Sequence, residues 1–292
     1  MVYVILTDRL GNNLFQIAAA ASLASQYHTD YRVCISDFIL PNGKKLEESI
    51  EFYKKNILRK VKFINYIPSN AIEYIQDGFH YSPLPYFENI CLKGYFQSEN
   101  FFDTDLVHRL FAIDKETNSY IQDKYGEILK KEIISLHVRR GDYVYRPRRQ
   151  RLCSLAYYKR AIKYFGKNKT FLVLSDDIEW CKKHFRGNNF IYPERENALI
   201  DLYLQSLCTH NIISNSTFSW WGAWLNNNPD KIVVAPKQWF GKHLSNYKMD
   251  DMIPSSWIRL NNPKSFRIIL RAFYYDILDY YDRLRGIQNF RG

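Results

Sequence analysis

The chain has 292 residues, a formal net charge of +11 and an aromatic content of 16%. This length is sufficient for two domains or one large α/β unit, and the aromatic content excludes an intrinsically disordered chain. The positive charge favours anionic partners, namely nucleotides, nucleic acid or an acidic membrane surface.

Cysteine usage and the apolar runs predict a cytoplasmic location. The five cysteines include no CxxC pair, which predicts reduced thiols and argues against a zinc site or a disulfide framework. Val2–Leu6 is too short for the apolar region of a signal peptide, and no run approaches the roughly eighteen apolar residues that span a bilayer.

Residues 1–114 are predicted to form an N-terminal Rossmann-like domain. This part opens with a strand, a turn and a helix, although the GxGxxG motif of dinucleotide-binding domains is absent. Residues 42–90 show no regular period, so only mixed helix and loop is predicted there. The segment 95–98 is predicted either to contact a sugar or to pack as an ordinary strand end. The predicted elements are strands at 2–6, 31–35 and 90–94 and a helix at 14–26.

Asp103 and Asp105 form an Asp-x-Asp pair, a pattern that can bind a metal ion holding a nucleotide-sugar diphosphate. The pair precedes an amphipathic helical pattern at 106–110 and does not follow an apolar strand. Acidic residues are favoured at a helix start by capping and by the helix dipole. The sequence therefore predicts helix capping here and no metal site.

The segment 133–143, IISLHVRRGDY, is the one around which the chain is organised. Its apolar run predicts a buried strand that ends in Arg139 and Arg140. Ligands of open α/β sheets bind at the carboxyl ends of strands, and guanidinium groups match phosphate in geometry and charge. Gly141 permits a sharp turn, and Asp142 can accept from a sugar hydroxyl or brace an arginine. A diphosphate site is predicted, in preference to a surface Arg–Asp pair.

Residues 115–262 are predicted to form a second domain with a parallel, doubly wound sheet, because short apolar runs alternate with helical patterns. The basic loop 146–151 either attracts anions or is a solvated charged loop. The turn 214–221 is rich in serine and threonine and opens a helix, whose free N–H groups predict a second anion-binding element. The predicted strands are 133–138, 170–174, 212–213 and 231–235, and the predicted helices are 115–131, 157–165, 178–185 and 197–208.

Five motifs occur together in this order over most of residues 1–260: GNNLFQIA, GYFQSENFF, HVRRGDY, LSDDIEWCKKHF and SNSTFSWWGAWL. In them the chain resembles the bacterial alpha-1,2-fucosyltransferase family. The resemblance implies an α/β fold of GT-B type, with two Rossmann-like domains and a donor-binding C-terminal domain. It also implies inverting transfer of L-fucose from GDP-β-L-fucose to the 2-hydroxyl of a galactoside in a surface glycan or its lipid-linked precursor. No metal or other cofactor is implied.

The resemblance also assigns roles to residues. Arg139 matches the arginine that holds the donor diphosphate, and it is expected to be catalytic together with Asn12, the amide near the acceptor. The residues assigned to the donor are His137 and Asp142 at the guanosine, Arg139 and Arg140 at the diphosphate, Asp176 at the guanine, and Ser216, Thr217 and Phe218 in a phosphate-binding turn. The chain has Asp8-Arg9 where the family has two glycines, and Asn13 where it has glutamine, both on the acceptor side.

Other functions are also compatible with parts of this pattern. Transfer of another GDP-sugar fits the same donor residues. The net charge fits a nucleic-acid-binding protein, although no recognition motif is present and no nucleic-acid partner is expected. Cell adhesion through the Arg-Gly-Asp triplet at 140–142 requires an exposed loop, which the apolar strand before it opposes.

Residues 263–292 are predicted to form a C-terminal amphipathic basic helix, because apolar residues recur at helical spacing between basic ends. The helix either packs across the two domains or lies on the inner membrane face, with its arginines on anionic lipid. Asp276, Asp279 and Asp282 interrupt its basic face. The second alternative makes the protein peripheral on the membrane, near a lipid-linked precursor.

Overall fold

The computed structural model describes residues 1–40, 43–145, 150–166, 168–244 and 247–263, together with positions 269, 270, 273, 274 and 277. The chain divides into two compact units. The first unit comprises Met1–Gly126 and Tyr247–Ser256, and the second comprises Glu127–Asn246 and Trp257–Gly292. The first unit thus continues past residue 114, the boundary expected from the sequence, and includes a later segment of the chain.

The first unit contains a five-stranded parallel sheet in the order β3-β2-β1-β5-β4. Its elements are β1 (Val2–Leu6), α1 (Leu10–Gln26), β2 (Tyr31–Ile35), α2 (Leu46–Lys54), β3 (Phe63–Ile64), β4 (Ile72–Ile75), β5 (Ile90–Lys93), α3 (Thr104–Leu110) and α4 (Lys115–Leu129), which runs across the boundary. β1 lies at the centre, and α1 packs against it. The alanines at 18–21 are buried, since a helix with small side chains approaches a sheet closely.

Two details of this unit differ from the sequence-based prediction. α1 begins at Leu10 and not at residue 14, because the N–H groups of Asn12 and Asn13 already donate to the Arg9 carbonyl oxygen, at 2.9 and 3.1 Å. The region 42–90 contains the strands β3 and β4 beside α2, where the sequence predicts only helix and loop. β3 and β4 are the two edge strands of this sheet, with two and four residues, which are too few to show an alternation of apolar and polar side chains.

Asp103 caps α3, as predicted. Its Oδ1 accepts a hydrogen bond from Leu106 N at 2.6 Å, and Asp105 lies in the first turn of the helix. The capping role is therefore confirmed. Within the described ranges, no three His, Cys, Asp or Glu side chains are grouped so as to hold a metal ion.

The second unit contains a six-stranded parallel sheet in the order β11-β10-β9-β6-β7-β8. Its elements are β6 (Ile133–Val138), α5 (Leu155–Phe165), β7 (Thr170–Ser175), α6 (Ile178–His184), β8 (Phe190–Ile191), α7 (Ala198–Leu207), β9 (His210–Ile212), α8 (Thr217–Trp224), β10 (Val233–Pro236) and β11 (Ile258–Leu260). All residues of β6 are buried, as its apolar run predicts. The predicted α/β class with parallel sheets is confirmed in both units.

The winding of this sheet reverses beside β6. The chain passes from β6 outward through β7 and β8, then returns to β9 on the other side of β6 and continues to β10 and β11. Such a reversal opens a crevice at the carboxyl ends of the two central strands, where open α/β sheets bind ligands. α8 begins beside this crevice, and Lys231 holds its far end by donating to the carbonyl oxygens of Ala223, Trp224 and Asn226, at 3.0, 3.0 and 2.6 Å.

All five cysteines are free and buried. Across the described ranges, no helix combines the length and apolar character needed to cross a bilayer.

The C-terminal helix predicted at 263–292 lies mostly outside the described residues. The described positions there are helical with exposed side chains, and they are Ile269, Leu270, Phe273, Tyr274 and Ile277.

Candidate functional site

Polar side chains from three neighbouring strand ends meet at the crevice of the second unit. Arg139 and Arg140 follow β6, Asp176 follows β7, and the turn before α8 follows β9. Because these strands are parallel and adjacent, their carboxyl ends lie at one edge of the sheet. The residues that the sequence assigns to a donor all lie at this edge: His137, Arg139, Arg140, Asp142, Asp176, Ser216, Thr217 and Phe218.

Arg139 is held between two carboxylates. Its Nη1 lies 2.7 Å from Asp176 Oδ2, and its Nη2 donates to Asp142 Oδ1. The guanidinium also lies over the Tyr143 ring, 5.1 Å from the centroid. Burial by itself lowers the pKa of Arg139, but Asp176, Tyr143 and Asp142 outweigh that effect and raise the pKa above its ordinary value. Arg139 is thus a fixed cation with N–H donors beyond those these contacts use.

Asp176 positions the arginine turn with both of its oxygens. Oδ2 pairs with Arg139, and Oδ1 accepts a hydrogen bond from Arg140 N at 2.8 Å. Gly141 makes this approach possible, because a Cβ there would collide with Asp176 Oδ2. The structure therefore gives Asp176 a positioning role, while contact with guanine stays a prediction.

Arg140 points to a different set of partners. Its Nε lies 2.8 Å from Asp177 Oδ2, and its guanidinium lies 4.2 Å from the centroid of the Trp180 ring. Asp177 also caps α6, with Oδ1 accepting from Trp180 N at 3.2 Å. Sequence reasoning missed Asp177, although an aspartate directly before a helical pattern is an N-cap signal. Arg140 thus braces the site against α6.

His137 is a neutral member of the site. Its Nδ1 lies 2.9 Å from Ser214 Oγ, and its ring centroid lies 5.5 Å from that of Phe218. Burial first, and the charge of Arg139 second, lower the pKa of His137 to about 3. The imidazole is therefore uncharged near neutral pH, and its hydrogen bond joins the end of β6 to the turn after β9.

The turn before α8 presents a helix start. Ser216 is the N-cap and is buried, and its side chain makes no capping hydrogen bond in the described structure. Asn215 fixes the turn by donating from Nδ2 to the Trp239 carbonyl oxygen at 2.7 Å, and its own carbonyl oxygen accepts from Tyr143 Oη at 3.2 Å. The first N–H groups of α8, around Thr217, carry the positive end of the helix dipole. This arrangement suits an anion beside Arg139.

Asn12 and the basic loop 146–151, which the sequence analysis also singles out, are not among these side chains. Asn12 lies in the first unit, where its Nδ2 donates to Asp8 Oδ2 at 2.9 Å and its Oδ1 accepts from Gln97 Nε2 at 2.8 Å. In the basic loop 146–151, residues 146–149 lie outside the described ones. Arg151 donates from Nη2 to the Asn262 carbonyl oxygen at 2.6 Å, which ties that end of the loop to the chain after β11.

Asp201 on α7 is a perturbed carboxyl that sequence reasoning missed. Burial, and then the nearby charge of Glu196, raise the pKa of Asp201 to about 7. α7 packs against α8, the helix whose start is the predicted anion-binding element. A carboxyl shifted in this way is a functional-site candidate. Its position in the first turn of α7 is that of an ordinary acidic helix-start residue, so no sequence signal distinguishes it.

Asp201→Asn tests this shift through the pH dependence of stability. The folded protein keeps the Asp201 proton up to about pH 7, whereas the unfolded chain releases it near the ordinary pKa of 3.8. The wild type must therefore lose stability as pH rises between these values, and the variant must lose less. Urea unfolding at pH 5, 6, 7 and 8 measures the difference. Asp230→Asn, at an exposed position, is the control, and parallel curves for the wild type and Asp201→Asn would contradict the assignment.

Comparison with known proteins identifies the family. Residues 40–261 match the model of glycosyl transferase family 11. The O-antigen biosynthesis glycosyltransferase WbnK of Escherichia coli is 36% identical over 226 residues, which cover 71% of this chain and 68% of WbnK. An alpha-1,2-colitosyltransferase of Escherichia coli is 34% identical over 180 residues, which cover 57% of this chain and 61% of that protein.

A solved structure supports the fold alone. The glycosyl transferase family 9 protein from Veillonella parvula DSM 2008 is similar with a TM-score of 0.51 and 9% identity, covering 94% of this chain and 90% of that one. The family match spans most of both units, and it confirms the resemblance that the five motifs indicate. The chain therefore belongs to glycosyl transferase family 11.

Proposed function

We propose that the protein is an inverting galactoside alpha-1,2-fucosyltransferase of GT-B type. It moves L-fucose from GDP-β-L-fucose to the 2-hydroxyl of a galactoside in a surface glycan or its lipid-linked precursor. The observation that carries this proposal is Arg139, fixed at the winding reversal of the second unit beside the start of α8. The alpha-1,2 linkage is also the one named for the colitosyltransferase relative and for human galactoside alpha-(1,2)-fucosyltransferase 1, which is 27% identical over 164 residues.

The proposed chemistry follows from where charge develops. The acceptor oxygen forms a bond to C1 of fucose while the bond from C1 to the diphosphate oxygen breaks, and the bonding electrons leave with GDP. The acceptor proton passes to a base. One displacement from a β-linked donor gives an α-linked product, hence inversion. Arg139 and the first N–H groups of α8 stabilise the departing diphosphate, and each charge-assisted hydrogen bond contributes roughly 1.5–3 kcal/mol.

The two arginines are proposed to have different roles. Arg139, held by Asp142 and Asp176 at the carboxyl end of β6, is proposed to bind the diphosphate. Arg140 is engaged by Asp177 and Trp180, so it is proposed to maintain the wall of the site. His137, Asp142 and the turn 216–218 are proposed to surround the nucleoside and phosphate groups, which needs no bound metal ion or other cofactor.

A second candidate differs only in the sugar that is transferred. The name of the colitosyltransferase relative specifies colitose, so a GDP-sugar that carries colitose is the strongest alternative donor. The residues that contact the nucleotide would be shared, because a diphosphate is recognised in the same way whichever sugar it carries.

Product analysis decides between these donors. Purified protein is incubated with β-galactosides and with GDP-fucose or a colitose-bearing GDP-sugar, in buffer with and without excess EDTA. We expect an alpha-1,2-fucosylated product and inverted configuration by NMR, at a rate that EDTA does not change. Exclusive use of the colitose-bearing donor would show that colitose, and not fucose, is the sugar transferred. A loss of activity in EDTA that Mn²⁺ restores would contradict the metal-free mechanism.

Substitution of the arginines tests the site. Arg139→Ala is expected to lower kcat/KM by about 100- to 1000-fold and to weaken GDP binding, because it removes the fixed donors of the diphosphate. Arg139→Lys keeps the positive charge but loses the planar set of guanidinium N–H donors, so its kcat/KM should lie between those of Arg139→Ala and the wild type. Arg140→Ala is the matched control, with a smaller effect on GDP affinity in calorimetry. Turnover of Arg139→Ala at the wild-type rate would disprove the assignment.

We also propose that the protein is peripheral on the inner face of the cytoplasmic membrane. The support is the exposed apolar set at 269, 270, 273, 274 and 277 in a segment with basic residues at both ends. Apolar side chains of this kind enter the headgroup boundary, and basic side chains bind anionic lipid. A lipid-linked acceptor would be met at the same surface.

Vesicle sedimentation tests the membrane proposal. The doubly substituted chain Phe273→Asp, Ile277→Asp should lose binding to vesicles containing anionic lipid, because both changes put charge on the apolar set. Tyr66→Asp is the control, since Tyr66 is 77% exposed in the first unit. Unchanged binding would contradict the proposal, and a large fall in Tm of the double variant would show instead that the segment packs on the protein.

A further inference from the structure

We propose that Asp8 is a specificity residue that binds a hydroxyl group of the acceptor sugar, at the carboxyl ends of β1 and β5 in the first unit. This inference rests on the proposed function, since it concerns the acceptor of that reaction.

In the first sheet β1 is central and β5 is one of its two neighbours. The chain passes from β1 outward through β2 to β3, crosses to β4 at the opposite edge and returns inward to β5. β1 and β5 pair in parallel, with Val4 opposite Leu92, so their carboxyl ends lie next to each other. The carboxyl ends of the strands are where open α/β sheets bind ligands. Asp8 follows β1, and Tyr95 follows β5.

The two strand ends are tied together by one buried side chain. Gln16 Nε2 donates to Thr7 Oγ1 and to the Gly94 carbonyl oxygen, both at 2.9 Å, and Gln16 Oε1 accepts from Thr7 N at 3.2 Å. Thr7 directly precedes Asp8, and Gly94 directly precedes Tyr95. Asp8 and Tyr95 thus follow two adjacent strand ends that Gln16 joins by hydrogen bonds.

Asp8 adopts a backbone conformation that favours glycine. Its φ is 69°, in the left-handed region, which aspartate and asparagine adopt more readily than other residues with a Cβ but less readily than glycine. Glycine would adopt this conformation without strain, so the carboxylate is present despite a cost to the fold. Strain of this kind is found at functional sites more than elsewhere.

The carboxylate is also oriented. Asn12 Nδ2 donates to Asp8 Oδ2 at 2.9 Å, and Asn12 is in turn held by Gln97 Nε2 at 2.8 Å. Asn12 and Gln97 are both buried, and the Oε1 of Gln97 has no hydrogen-bond partner within the described structure. A relay of two buried amides therefore points one oxygen of Asp8 and limits where a ligand hydroxyl can meet it.

Tyr95, which follows β5, belongs to a group of three aromatic rings. Tyr95 stacks on Phe79 with ring centroids 5.9 Å apart, and Tyr247 meets Phe79 edge-on at 5.4 Å. Phe79 and Tyr95 are half-buried, so they present part of their surface. A pyranose has both C–H faces, which pack on aromatic rings, and hydroxyl groups, which donate to a carboxylate. A carboxylate accepts hydrogen bonds only, so it selects a ligand that carries a hydroxyl at that point.

The test uses the full chain as wild type, Asp8→Gly and Asp8→Asn. Asparagine keeps an oxygen for Asn12 and removes the charge, while glycine removes the side chain and relieves the backbone. The probes are methyl β-D-galactopyranoside and its 3-, 4- and 6-deoxy analogues. Acceptor kcat/KM at saturating GDP-fucose is the main readout, and GDP affinity by calorimetry and Tm are measured alongside.

We expect the wild type to favour the parent sugar over one deoxy analogue by about tenfold or more, because a site built for a hydroxyl rejects a ligand that lacks it. Both variants should lose this preference through a higher acceptor KM, with GDP affinity unchanged and with Tm of Asp8→Gly not reduced. Preference retained in both variants overturns the proposal. Loss in Asp8→Gly alone also overturns it, because Asp8 would then act only through Asn12.

Failure of the proposed function gives a different result. If GDP-fucose is not a donor, binding of the same galactosides in the presence of GDP is measured by saturation-transfer NMR. Binding of the parent sugar that Asp8→Asn loses supports the role of Asp8 with another donor. Galactosides that bind neither the wild type nor the variants overturn it.

Discussion

The contacts of Arg139 with Asp142 and Asp176 are the interaction on which the site of the second unit depends. A guanidinium that is mostly removed from water is costly unless carboxylates and hydrogen bonds replace its hydration. Here the two carboxylates come from separate segments, one in the turn after β6 and one at the end of β7. Gly141 admits the second of them. The cation is therefore in position before any ligand binds, which is the condition for electrostatic stabilisation without rearrangement.

One arrangement of strands recurs in both units. The first strand of each sheet is paired in parallel on both sides, β1 with β2 and β5, and β6 with β7 and β9, and the winding of the second sheet reverses between β6 and β9. Buried side-chain hydrogen bonds then join the two strand ends: Gln16 in the first unit, and His137 with Ser214 in the second. The chemical character of these strand ends differs, because two arginines and a helix start follow them in the second unit, and Asp8 and Tyr95 follow them in the first.

The parts of the fold that the sequence predicts are those with strong local patterns. The apolar run of β6 followed by two arginines predicts a buried strand with positive charge at its carboxyl end, and the structure has both, because burial and charge change within two residues. The binding of a diphosphate there stays a prediction. The start of α1 differs from the prediction because Asn12 and Asn13 are typical of turns in sequence, whereas their amides are buried and engaged in the tertiary structure. The strands β3 and β4 are too short for a period. Asp201 could not be found, since its shifted pKa comes from packing that no local pattern records.

The state of the cysteines has a practical consequence for spectroscopy. All five thiols are buried, and burial raises the pKa of Cys91 to about 11 and that of Cys153 and Cys181 to about 12. Since the thiolate is the nucleophile, these groups react slowly with maleimides and other alkylating labels. A cysteine introduced at an exposed position such as Tyr66 or Asp230 can therefore carry a fluorophore or a spin label in the unmodified background. With one such label in each unit, distances between the units become measurable in solution.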